Sequence, residues 1–220
     1  MSKFNKIDTL GIIRSTGIVP VFYNKDVELA KKVVKACYEG GIRAFEFTNR
    51  GDGAHEVFGQ LVPFVRAECP EMALGAGTLL DAPSAALYLQ LGADFLVSPC
   101  CVDEIITLAN RRGVPYSPGC ATVTEIVHAL ERGCDLVKIF PASEVGGPAF
   151  VKDVLGPLPK AMLMCTGGVE PSEENLRAWA RSGVTAVGMG SKLFPAQMLA
   201  EGKWEALSAL CRGCLEWFRG

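Results

Sequence analysis

Histidine is nearly absent from this 220-residue sequence, with His55 and His128 the only two. They lie far apart and no carboxylates stand at ligand spacing. Even with oxygens from Asp52 and Glu56 near His55, they make no recognisable metal site. Long apolar runs are missing as well. Charged or polar residues interrupt every hydrophobic stretch well before about 18 positions, so no membrane-spanning helix is expected. Met1-Ser2-Lys3-Phe4-Asn5-Lys6 leads into polar sequence and not into an apolar segment with a cleavage site, so no signal peptide is expected. No basic block occurs: 22 Lys and Arg stand against 24 Asp and Glu, for a formal charge of -2. That balance leaves neither nucleic acid nor an anionic membrane a footprint. The first strand-like segment is followed by no Gly-x-Gly-x-x-Gly turn, so a dinucleotide fold has no fingerprint here. These absences point to a cytoplasmic protein without nucleic-acid or membrane partners.

Nine cysteines are present, an odd number scattered among strand-like segments. They are read as reduced, mostly buried thiols and not as a disulfide framework. Cys211-Arg-Gly-Cys214 has the spacing of a redox motif or half a metal site. It lies in a helical pattern with no second pair and no histidine nearby, and is read as coincidence.

What the sequence does contain is a repeat. A helix end, a glycine and a short apolar strand recur at Gly41, Gly92, Gly113, Gly133 and Gly183. Each long gap holds one more unit, with strands at Met72 to Ala76 and Ala161 to Cys165. Ile18 to Phe22 supplies the first, giving eight strands. Apolar positions at helical spacing run between them, as in Val27 to Cys37 and Ile105 to Ala109, and glycine is a natural helix stop. Eight such units consume almost the whole chain. The layout expected is therefore an α/β fold of the TIM (β/α)8 barrel type, one domain over residues 1–220 with an N-terminal lead-in segment and a C-terminal helix.

Strand ends carry the chemistry of such a barrel. In Ala44-Phe45-Glu46-Phe47-Thr48 the two-residue period sets the two phenylalanines toward the helices and Glu46 toward the interior. In Leu136-Val137-Lys138-Ile139 the same rule turns Lys138 inward. An amine held among apolar walls is favoured in its neutral, nucleophilic form. It can attack a ketone to give an imine that accepts electrons when a neighbouring carbon–carbon bond breaks, with Glu46 moving protons. Two plainer readings stand beside this one: a frayed strand end that exposes Lys138, or a structural Lys138–Glu46 bridge. Arg50, in the loop after the second strand, suits a bidentate grip on a carboxylate. Thr78 and Thr166 end strands three and seven and can orient a ligand, although either residue also suits a helix cap. Gly167-Gly168 and Gly190-Ser191 follow strands seven and eight, where backbone N–H groups can converge on a phosphate. His128 is read as a helix-face residue, and His55 as a minor candidate for ligand contact.

An ordered set of motifs sharpens this reading. It runs from Gly40-Gly41-Ile42-Arg43 to Glu46-Phe47-Thr48-Asn49-Arg50, then Gly75-Ala76-Gly77-Thr78, Ser98-Pro99, Pro118-Gly119, Val137-Lys138-Ile139-Phe140-Pro141-Ala142, Thr166-Gly167-Gly168-Val169 and Gly188-Met189-Gly190-Ser191. Over about Gly17 to Phe194 the chain resembles the 2-keto-3-deoxy-6-phosphogluconate and 4-hydroxy-2-oxoglutarate aldolases. The resemblance implies a class I aldolase with Lys138 as Schiff-base lysine, Glu46 as proton shuttle and Arg50 as carboxylate ligand. It further implies Thr78 and Thr166 as orienting groups and Gly167, Gly168, Gly190 and Ser191 as the receiver of a phosphate. It implies a homotrimer that needs no metal or cofactor and acts on a small 2-oxo acid or sugar acid. Phe150, Val151, Cys100 and Cys101 are candidates for the subunit contact. Departures at Tyr23, Asn49 and Cys100-Cys101 bear on distal contacts and not on imine chemistry. A phosphosugar isomerase or epimerase on the same barrel and a non-catalytic sugar-acid-binding scaffold are the competing readings.

Overall fold

The computed structural model describes residues 1–220. Its strands are β1 (Ile18–Phe22), β2 (Ala44–Thr48), β3 (Ala73–Gly77), β4 (Leu96–Val97), β5 in two pieces (Tyr116–Ser117 and Gly119–Cys120), β6 (Leu136–Ile139), β7 (Met162–Thr166) and β8 (Ala186–Met189). Each pairs in parallel with its neighbour, from the first piece of β5 through β4, β3, β2, β1, β8, β7 and β6 to the second piece of β5. The two ends of the sheet are thus halves of one strand, and the ring closes as the repeat predicts. Pro118 splits β5 because it has no N–H for the ladder. Its carbonyl still accepts from Lys138 N at 2.9 Å.

Helices α2 (Val27–Glu39), α3 (Ala54–Glu68), α4 (Ala82–Leu91), α5 (Asp103–Arg112), α6 (Val123–Glu131), α7 (Gly147–Leu155) and α8 (Glu173–Arg181) fill the connections, with a short α9 (Ala196–Ala200) after β8. Alternation along each strand sorts the side chains. Phe45, Phe47, Val137, Ile139, Leu163 and Cys165 belong to the core between strands and helices. Val19, Ala44, Ala73, Phe95, Val97, Leu136, Met164 and Ala186 fill the barrel interior. In such barrels, with a shear of about 8, alternate strands supply each interior layer. Carried through the observed registers, this rule puts Glu46, Val97, Lys138 and Gly188 in one layer. Val19, Gly75, Ser117 and Met164 form the layer beneath.

The lead-in segment is itself a helix, α1 (Lys6–Thr16), capped by the Asn5 side chain and stopped at Gly17 with φ 71°. Its Ile13 is buried in the interior core, with Phe4, Leu10 and Ile12 packed against it, so α1 closes the barrel floor. Asp94 fixes this arrangement by accepting from the backbone N–H groups of Lys3 (2.6 Å), Phe4 (3.2 Å) and Leu74 (3.0 Å).

At the other end of the chain α10 (Trp204–Arg219) packs on α2 and α8. Cys211 and Cys214 are both buried in it, and Cys211 Sγ lies 3.8 Å from Cys37 Sγ of α2. The Cys-x-x-Cys spacing is therefore core packing, and all nine cysteines are free thiols, seven of them buried. No helix is long and apolar enough to cross a membrane.

Candidate active site

Four buried side-chain atoms have no hydrogen-bond partner in the chain: both Glu46 carboxylate oxygens, Ser117 Oγ and Thr166 Oγ1. An unpaired buried polar group costs about 1–3 kcal/mol, so folds keep few of them. All four belong to inward-facing positions on the strands of one barrel, and that clustering of unpaired polar atoms makes this interior the candidate site.

Glu46 is only 1% exposed and Lys138 5%. Lys138 is therefore no frayed strand end. No ion pair joins it to Glu46, and its ammonium lies 5.0 Å from the centroid of the Phe140 ring. Both plainer readings of this lysine fail on the geometry. Two glycines make the room above: a Cβ on Gly77 would overlap the Glu46 carboxylate, and one on Gly188 would overlap Thr166 Oγ1.

Arg50 is exposed at the barrel mouth. Its loop is pinned on both sides, with Asn49 N donating to Gly77 O at 2.8 Å and Tyr88 Oη donating to Asn49 Oδ1 at 3.0 Å. Its guanidinium has no partner in the chain. Thr78 is the one non-glycine residue with a left-handed backbone, φ 60°. A β-branched residue in that region is strained, and such strain gathers at functional sites.

Gly167 and Gly168 have φ 104° and 73°, and the turn they form is tied to the loop after β6 by Ala142 N to Thr166 O at 2.9 Å and Ser143 N to Gly167 O at 3.2 Å. The amides of Gly167, Gly168 and Gly190 donate to no group in the chain. Asn175 of α8 shapes the turn from behind, donating to Gly168 O at 3.0 Å and accepting from Glu170 N at 2.9 Å. Beyond the glycines, Lys192 and Glu170 face each other at 3.5 Å.

Several of these residues escape the sequence reading. Ser117 is legible by parity, two positions before the Gly119 that pairs with Lys138, but a lone serine beside a proline draws no notice. Asn175, Glu170 and Lys192 carry no motif. The histidines lie on α3 and α6 and not on the barrel strands. His55 is half-buried at the start of α3. His128 Nε2 lies 2.8 Å from Asp103 Oδ1, holding that carboxyl below its ordinary range, while Arg132 lies 3.8 Å from Asp103 Oδ2. Cys101 joins this group, the ligand atoms of the three residues lying within 4.8 Å of one another. That convergence crosses two helices and has no sequence spacing to announce it.

A family model described as KDPG and KHG aldolase matches residues 10–210. A 2-dehydro-3-deoxy-phosphogluconate aldolase of Treponema pallidum is 36% identical over 200 residues, 90% of this chain and 92% of that protein. The KHG/KDPG aldolase of Escherichia coli K12 is 31% identical over 96% of both chains. Among solved structures, KDPG aldolase of Legionella pneumophila, with pyruvate captured at low pH as a covalent carbinolamine, superposes with a TM-score of 0.83. It has 27% identity over 93% of this chain and 96% of that one.

Proposed function

The chain belongs to the KDPG and KHG aldolase family and is a class I aldolase that cleaves a 2-keto-3-deoxy sugar acid through a Schiff base; from that premise we propose which residues perform each step. Lys138 attacks the C2 ketone to form a carbinolamine, which loses water to give the protonated imine. Glu46 then takes the proton of the C4 hydroxyl. The C3–C4 bond breaks, its electron pair moves into the imine to form an enamine, and the aldehyde departs. Glu46 returns a proton to C3, and water releases pyruvate and the free lysine. Because the imine is the electron sink, this route calls for neither metal nor cofactor.

The observation that carries the assignment is the unpartnered, buried Glu46 carboxylate in the same interior layer as Lys138. The carbinolamine captured in the Legionella relative is the adduct that an amine and pyruvate would form here. Arg50 holds the 2-oxo acid carboxylate. Thr166 Oγ1, itself unpartnered, and the strained Thr78 orient the chain of the substrate. The amides of Gly167, Gly168 and Gly190, together with Ser191, receive its far end.

The test is reduction with borohydride in the presence of pyruvate. The peptide containing Lys138 should gain the reduced adduct, and Lys138→Arg should gain none, since a guanidinium has no available lone pair at neutral pH. An adduct on another lysine, with Lys138→Arg fully active, would overturn the assignment.

The same reading takes residues 1–220 as one catalytic domain, in the cytoplasm, as its free thiols favour. The molecule assembles as a homotrimer, for which Leu80 and Leu87 leave apolar surface to cover. Val151 is fully buried within one chain and drops out as an interface candidate, whereas Cys100 is exposed and Phe150 and Cys101 half-buried. A light-scattering mass near one 23.5 kDa subunit would end the trimer proposal and leave the site untouched.

A further inference from the structure

We propose that Cys101, Asp103 and His128 form a site for one divalent transition-metal ion of the zinc class, which clasps the start of α5 to the last turn of α6. The proposal stands on the geometry of this cluster and is independent of the aldol chemistry.

The three residues offer a thiol sulfur, a carboxylate oxygen and an imidazole nitrogen, and these atoms lie within 4.8 Å of one another. Sulfur, nitrogen and oxygen together are the donor set of zinc and its neighbours in the transition series, whereas magnesium and calcium take oxygen. Around a tetrahedral ion such atoms stand about 3.3–3.6 Å apart, since their bonds to the metal are about 2.0–2.3 Å long. His128 Nε2 and Asp103 Oδ1, now 2.8 Å apart, would open slightly to admit the ion. Both side chains have room to turn, being 46% and 45% exposed.

Asp103 presents its two oxygens to different partners. Oδ1 faces His128, and Oδ2 lies 3.8 Å from the Arg132 guanidinium. A donor on the outer oxygen orients a ligating carboxylate, the usual task of a group just outside the ligand set. The positive charge of Arg132 opposes the ion, but thiolate and carboxylate together set two negative charges against it. Cys101 binds as the thiolate: its S–H bond breaks, the proton passes to solvent and the sulfur gives an electron pair to the metal. Three ligands from the chain leave the fourth position of the tetrahedron to water. They come from the segment between β4 and α5, from the first residue of α5 and from α6. A bound ion thus joins two consecutive β/α units and should stabilise the fold by mass action.

The experiment titrates tag-free protein with cobalt(II) and then with zinc(II). One cobalt(II) per chain should give a thiolate-to-cobalt charge-transfer band in the near ultraviolet and the strong visible bands of a tetrahedral site. Zinc(II) should bleach both by displacement. Cys101→Ser should lose the charge-transfer band and His128→Ala should weaken binding about tenfold or more, while Cys100→Ser keeps the full spectrum. Zinc(II) should raise the melting temperature of the wild type and not that of Cys101→Ser, and cooperative melting shows each variant to be folded. A wild type without the charge-transfer band, or a band that survives Cys101→Ser, would overturn the site. So would a band lost in Cys100→Ser, which would give the metal to the neighbouring thiol. The pyruvate adduct at Lys138 should form alike with and without zinc(II), and its failure would touch the aldolase reading alone.

Discussion

Gly77 and Glu46 share one volume: the space that a Cβ on Gly77 would fill is held by the Glu46 carboxylate. The proposed proton shuttle is thus positioned by an absence on the neighbouring strand. Gly77→Ala should displace the carboxylate and lower kcat about a hundredfold, the order of loss that follows a misplacement near 1 Å. It should still form the pyruvate adduct at Lys138. Glu46→Gln should behave alike, with slow exchange of the pyruvate methyl protons into deuterated solvent. Loss of the adduct in folded Gly77→Ala would show that the glycine serves Lys138 instead.

Thr78 stores strain at the mouth of the barrel, its φ of 60° costing about 1–2 kcal/mol. Thr78→Gly relieves that strain, so the melting temperature should hold or rise although a side chain is deleted. Activity should fall about tenfold, chiefly through KM. Thr78→Ala keeps the strain and should be the less stable of the two by thermal melting. The opposite order would mean that the threonine side chain is structural.

Thiol reagents should find only two cysteines in the native protein. Cys100 is exposed and should react first. The half-buried Cys101 has its thiol pushed up by burial and by Asp103. Its thiolate fraction at neutral pH is accordingly small, and its labelling rate should climb with pH beyond the ordinary thiol range. Asp103→Asn should bring that rise to lower pH. Burial holds Cys165, Cys120, Cys134 and Cys214 at about 12, so peptide mapping should find them unmodified. Rapid labelling of Cys165 would contradict its outward, buried orientation on β7.

Asp94 is the tie for the floor helix. Asp94→Ala strands three backbone N–H groups at once, and stability should drop by about 3 kcal/mol in denaturant titration. Hydrogen exchange should quicken first in α1. Uniform loss of protection across the barrel would argue that α1 is an inseparable part of the folding unit.

How much of this is written in the sequence varies with how local the cause is. β2 and β6 are legible because large apolar side chains alternate with Glu46 and Lys138, and parity alone turns the charged groups inward. β1 and β2 match their expected limits, whereas the strands expected at Met72 to Ala76 and Ala161 to Cys165 each sit one residue later. There, runs of small or apolar residues leave the edge undetermined. β5 is harder to read because Pro118 breaks the ladder and Gly119 offers no side chain to show a face. α1 carries Ile7, Leu10, Ile12 and Ile13 without a sharp apolar face, and its Ile13 is core only because a barrel opening lies above it. Asn175, Glu170 and Lys192 gain meaning from contacts across loops that no spacing rule connects.

With α1 across the floor, ligands enter and leave by one door. In the proposed mechanism pyruvate, linked to Lys138, is the inner fragment and the aldehyde the outer one, so traffic is single-file. In cleavage the aldehyde must exit before pyruvate is set free. In synthesis pyruvate must arrive first, and a high concentration of aldehyde should inhibit by occupying the passage ahead of it.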